Sequence, residues 1–131
     1  MMYTQFSGFA STSKPIEVLE CGLNADIGST AAQDFRNTSE HRLNQVPFVT
    51  GFDGNITQIV MSSRSTNDYS VEFIVNGTTE ATYTRDNNTQ TQIIEPDNPI
   101  EVKKEDLIRV RFSSGTGTTR RPFVKFTIKA K

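Results

Sequence analysis

One stretch near the middle of the chain, Tyr69 to Thr84, constrains the fold more than any other. Tyr69, Val71, Phe73 and Val75 alternate with Ser70, Glu72, Ile74 and Asn76, the period-two pattern of a strand with one apolar face. Asn76-Gly77 follows at once. Both residues tolerate positive φ, so the pair suits a two-residue type I′ turn, whose twist matches the strands it joins. Thr79, Ala81 and Tyr83 offer a returning strand. A lone hairpin cannot bury its apolar face, so a second sheet must cover it.

From Val46 onward the chain can supply that sheet. Val46-Pro-Phe-Val begins a strand, with Pro47 at an edge or strand start. Asp53-Gly54-Asn55 signals a turn. Ile56 to Ser63 is a strand with apolar residues on both parities (Ile56 and Val60, Ile59 and Met61), which predicts cover on both faces. Arg64–Asp68 is a loop, and short strands follow over Thr91–Ile94 and Ile100–Lys103, the second leading into a charged turn at Lys103–Asp106. Ile108, Val110 and Phe112 point one way and Arg109 and Arg111 the other. Ser113–Thr119 reads as a hairpin tip. Val124, Phe126 and Ile128 then alternate with Lys125, Thr127 and Lys129. Strands at this spacing, about eight in all, predict an all-β fold: an antiparallel β-sandwich or jelly roll.

Residues 1–45 differ in texture, and the expected division is an N-terminal arm or extension over 1–45 and a sandwich domain over 46–131. Ile16-Glu-Val-Leu-Glu-Cys can make one strand, with Ile16 and Val18 on one face. Ser29 or Thr30 can cap a short helix through Phe35 and Arg36, although a helix this polar has little to bury. Two readings compete for the segment. One is a frayed terminus; the other is an arm ordered on a neighbouring subunit, anchored by its scattered aromatics Tyr3, Phe6, Phe9 and Phe35. Isolated Phe residues in a polar tail gain nothing unless buried, which favours the arm.

Composition narrows the function. At 131 residues the chain suits one domain, burying ~65–70% of its unfolded surface. It has nine Phe and no Trp, so Phe should dominate the core. Lys+Arg is 14 against Asp+Glu 15, without the basic excess that phosphate neutralisation demands, so no nucleic-acid partner is expected. The sole cysteine, Cys21, allows no intrachain disulfide. The N-terminus lacks the basic start and apolar run of a signal peptide, and no apolar run approaches a membrane span, so cytosolic synthesis without a membrane partner is expected. Four N-x-[ST] matches, at Asn37, Asn55, Asn76 and Asn87, then reflect a polar Asn/Thr-rich β surface.

No catalytic constellation stands out, and no cofactor or small-molecule substrate is expected. Cys21 and the sole histidine, His41, lie in the irregular part without a nucleophile elbow, so a buried thiol and a surface imidazole are the simpler reading. One His and one Cys cannot supply a zinc site. Asp53-Gly-Asn55, Asp86-Asn-Asn88 and Asp97-Asn98 place oxygen donors in turns that could gather at one end of a sandwich. Asp and Asn are also what turns use, and no EF-hand spacing is present. Gly115-Thr-Gly117 lacks the third glycine and the βαβ setting of a dinucleotide site. Arg109, Arg111, Arg120 and Arg121 can form a basic stripe on the solvent side of the last two strands. Such a stripe either blocks edge pairing or docks on an acidic partner.

Taken together, Gly54-Asn-Ile-Thr-Gln-Ile-Val, Tyr69-Ser-Val-Glu-Phe-Ile-Val-Asn-Gly and Ile100-Glu-Val-Lys-Lys-Glu-Asp-Leu-Ile-Arg-Val-Arg-Phe resemble the small jelly-roll domains of tailed-bacteriophage virions. The likeness covers about Val46 to Lys131; the turn before Leu107, often Gly-Asp in such domains, is Glu105-Asp106 here. The resemblance implies a non-enzymatic virion protein made in the host cytoplasm. Foremost it implies a capsid decoration (cement) protein, a dimer or trimer that clamps the major capsid protein or another virion protein. The alternative is a receptor- or carbohydrate-binding tip of a tail fibre, for which Tyr69 and Tyr83 are the available aromatics. A third reading, an esterase or glycosidase accessory module, needs two convergent carboxylates that the spacing does not reveal.

Overall fold

The structure, a computed structural model, describes residues 14–86 and 89–131. Among these, twelve strands and no helix form an antiparallel β-sandwich. In chain order the strands are β1 (Ile16–Gly22), β2 (Asp26–Ile27), β3 (Gln33–Asp34), β4 (Phe48–Val49), β5 (Gly54–Ser62), β6 (Tyr69–Val75), β7 (Thr78–Arg85), β8 (Thr91–Ile94), β9 (Ile100–Val102), β10 (Leu107–Gly115), β11 (Thr119–Arg120) and β12 (Phe123–Ala130). One sheet runs β1-β12-β5-β8, with β9 also on β5; we call it the front sheet. The back sheet runs β3-β10-β6-β7, with β4 also on β10. β2 and β11 make a small ribbon at one end.

The hairpin forms as its residues predict. Asn76 and Gly77 both take positive φ, 50° and 84°, joining β6 to β7 through a two-residue turn. Phe73 of β6 meets Phe126 of β12 edge to face, centroids 5.1 Å apart, at the centre of the interface between the sheets. Ile108, Val110 and Phe112 from the back sheet and Val124, Phe126 and Ile128 from the front sheet are fully buried there. Tyr69 stacks on Phe112 and donates its hydroxyl to Ser62 O at 2.8 Å, tying the back sheet to the front one.

Four expectations need correction, the first being that Ser113–Thr119 is no hairpin tip, since β10 and β12 lie in different sheets and β11 pairs with β2. Residues 16–45 are part of the sandwich, and no boundary falls at residue 45. β1 pairs along its whole length with β12, from Ile16 opposite Lys129 to Gly22 opposite Phe123. Around Ser29 to Arg36 there is no helix; Gln33–Asp34 instead pairs with β10, where a strand finds backbone partners that a polar helix would not need. Last, β5 is not covered on both faces. Its ladder with β12 skips Thr57, a β-bulge that shifts the phase so that Ile56, Ile59 and Met61 all point inward, leaving Val60 outward.

The charged turn at Lys103–Asp106 also forms, with Glu105 at φ 72°, the conformation a glycine adopts without strain. Asp106 holds the turn: its carboxylate accepts from Lys103 N at 2.8 Å and Asn76 Nδ2 at 3.0 Å. Those two bonds keep its pKa below the usual carboxylate value.

Candidate functional site

Both outward faces mix polar and apolar groups; on the back sheet the paired Leu107 and Val49 are exposed. On the back sheet the cross-strand row Asp34, Arg111, Glu72, Thr82 is polar throughout. Arg109 grips Asp34 with two 2.8 Å bonds, and Arg111 reaches Glu72 Oε1 at 2.8 and 2.5 Å. Asp34 is buried, and its bonds to Arg109 raise the guanidinium pKa. These charges satisfy one another. The basic stripe expected from Arg109, Arg111, Arg120 and Arg121 therefore does not exist as one surface. β10 and β12 lie in opposite layers, and Arg120 and Arg121 sit at the β2–β11 ribbon, Arg120 3.8 Å from Asp26.

The outward face of the front sheet is mixed as well, with its most exposed apolar groups at the two edges. Its outward rows are Glu20–Lys125–Val60–Ile93, Val18–Thr127–Gln58 and Ile16–Lys129–Asn55. Ile16, Val18 and Ile93 are 59, 53 and 61% exposed. The sheet's edge, β1, carries backbone partners on its β12 side and, among the described residues, only the Gly22–Arg36 bridge on the other. An exposed edge with β-branched side chains is a template for pairing unless something covers it.

At the Gly22–Phe123 end of this sheet the surface opens into a cleft of about 310 Å³. Gly22 lacks a side chain by necessity, because a Cβ there would sit 2.7 Å from Pro122 O; the Phe123 ring lies alongside, 37% exposed. Gly22 and Arg36 exchange backbone bonds of 3.0 and 2.8 Å, which hold the loop after β3 against β1. Arg36 Nη1 donates to Glu40 O at 2.7 Å, and Asn37 Oδ1 accepts from Ser39 N and His41 N. Glu40 and Arg121 both line the cleft with positive φ, 66° and 49°. A second cleft of about 330 Å³ adjoins it, sharing Leu23, Asn24, Arg36 and Glu40.

The remaining expected site residues fall elsewhere. Tyr3, Phe6 and Phe9 lie outside the described residues. Phe35 is not an arm anchor: its N–H bonds to Val110 O at 2.9 Å, and its ring is wholly inside the chain's own core beside the buried Leu43. Tyr69 is buried and Tyr83 packs edge-on against Phe73, so the hairpin aromatics form no binding platform. Cys21 is buried; burial, reinforced by the charge of Asp34, pushes its thiol pKa up and keeps it neutral, while His41 is exposed. Asp53 Oδ1 caps Lys104 N at 2.8 Å, and among the described residues no cluster of His, Cys, Asp and Glu could hold a metal.

Sequence reasoning missed Arg85, which is 1% exposed. It donates to Ser63 Oγ at 2.7 Å, Gln90 O at 2.9 Å and Asn67 O at 2.5 Å, and its guanidinium lies 4.8 Å from the Tyr69 ring centroid. Burial lowers its pKa. Nothing in the pattern of β7 marks this end of the strand as interior. Compared with known proteins, the chain matches no family model and no curated protein sequence.

Proposed function

We propose that the chain is a non-enzymatic structural subunit of a bacteriophage particle, a decoration protein that stabilises the shell. It would act as a dimer or trimer on the major capsid protein or another virion protein. The observation that carries this is the free edge of the front sheet: β1 exposes Ile16 and Val18 and, among the described residues, has only the Gly22–Arg36 bridge on its free side, while Ile93 is exposed on β8 at the opposite side of the sheet. A free edge of this kind is a template for another strand, so it fits an interface with another copy or another polypeptide. A subunit that binds only the mature lattice stabilises that lattice by mass action. The strand order supports a jelly roll: the first long strand pairs with the last, and the chain crosses repeatedly between β1-β12-β5-β8 and β3-β10-β6-β7, staying within one layer at the β6–β7 hairpin.

The test is a double substitution, Val18→Glu with Ile93→Glu. Both side chains are exposed, so the melting temperature should hold within a few degrees. Sedimentation should show the wild type as an oligomer and the variant as a monomer that no longer joins particles. A wild type that stays monomeric and ignores particles would reject the proposal. The second reading, a carbohydrate-binding tail-fibre tip, is favoured by one observation, the cleft at Gly22 and Phe123.

A further inference from the structure

We infer that the paired clefts at the Gly22–Phe123 end form a binding site for an uncharged oligosaccharide. Two carboxylates and two guanidiniums line the first cleft, Glu20 and Glu40 with Arg36 and Arg121. The second repeats the balance, with Asp26 and Glu40 against Arg36 and Arg42. An anion entering either would meet two carboxylates, and a cation two guanidiniums. A sugar hydroxyl both donates and accepts, so it can use carboxylate, guanidinium and the Asn24 carboxamide at once.

The apolar part of the lining fits the same class. Phe123 stands at the cleft with its ring against the bare backbone of Gly22, and Leu23 and Pro122 are buried beneath. An exposed aromatic ring beside planar polar side chains matches the alternating C–H and O–H faces of a sugar. The volumes, about 310 and 330 Å³, lie at the small end for ligand sites. Because the clefts share Arg36 and Glu40, a short chain can lie across both.

The walls are set before any ligand arrives. The Gly22–Arg36 bridge, the bond from Arg36 to Glu40 O, the bond of Leu23 N to Pro122 O at 2.9 Å and the bond from Arg42 Nη1 to Gln33 Oε1 at 3.1 Å fix the frame. Preorganised groups lose little freedom on binding. Glu40 and Arg121, the two residues held in left-handed backbone at this site, place their side chains at its rim. Glu20 and Glu40 are exposed to water.

This inference rests on the carbohydrate reading of the cleft and is independent of the assembly face. The full chain would be applied to an array of bacterial surface glycans. It would then be titrated by ¹H–¹⁵N NMR with maltotriose, chitotriose and any neutral array hit. Saturable binding should move amides in residues 20–24, 36–40 and 121–123. Phe123→Ala and Asn24→Ala should each weaken it at least tenfold while the protein stays folded, with melting lowered by no more than a few degrees. Val18→Glu should leave it intact, which separates this site from the assembly surface. Three results would overturn the inference: no saturable neutral glycan, perturbations elsewhere, or a preference for anionic glycans or acidic peptides that fades with salt.

Discussion

Phe35→Ala separates a core residue from an arm anchor. The ring is fully buried, and its backbone N–H and carbonyl bond to Val110 and Leu43, bonds that alanine retains. The substitution therefore removes packing alone. Burying a Phe side chain is worth about 1.5–3 kcal/mol in transfer from water. The cavity left between rigid neighbours raises the cost of Phe→Ala to about 3–5 kcal/mol. Domains of this size hold only about 5–15 kcal/mol, so the variant should lose a large fraction of its stability. Its melting temperature should fall by roughly 10–20 °C. Urea denaturation followed by circular dichroism measures the loss, with the slope unchanged if unfolding stays two-state. Phe123→Ala, at an exposed ring, is the control and should cost under about 1 kcal/mol. An unchanged urea midpoint for Phe35→Ala would refute the placement of residues 16–45 inside the sandwich.

Other perturbations probe other parts of the account. Glu105→Gly should stabilise the protein by about 0.5–1 kcal/mol, because φ 72° strains a side chain and suits glycine; a loss in thermal melts would contradict this. Arg109→Met leaves Asp34 buried without its cation and should cost about 2–4 kcal/mol by urea denaturation, less than a wholly buried pair because Arg109 is partly exposed. Asp106 binds its proton less readily folded than unfolded, so its contribution is present above the unfolded pKa, near ~4, and lost as pH falls through the lower folded value. Asp106→Asn should flatten the stability profile in that acidic window, measured by urea midpoints from pH 6 downward.

The parts of the fold legible in the sequence were those where one physical rule acted alone. Period two plus Asn76-Gly77 named the hairpin, and the same alternation placed Ile108, Val110 and Phe112 and Val124, Phe126 and Ile128 inward. Val60 was misassigned because a bulge at Thr57 changes phase without changing composition. Residues 23–45 carry no period at all. They reach the core through single buried side chains, Leu23, Ile27, Phe35 and Leu43, held by loop hydrogen bonds and two-residue strands that leave no pattern. The four arginines shared a charge but not a surface, since only sheet order assigns β10 and β12 to different layers. The cleft was invisible for a related reason: Gly22, Arg36 and Phe123 are far apart in the chain and meet only after β1 closes on β12.

The central proposal, that the chain belongs to a phage particle, is tested most directly by cryo-electron microscopy of gradient-purified particles from its source. The proposal predicts symmetric copies of this sandwich on the particle, with Val18 and Ile93 covered by a neighbouring copy or by the shell. Particles lacking the chain, or copies whose front sheet faces open solvent, would contradict it.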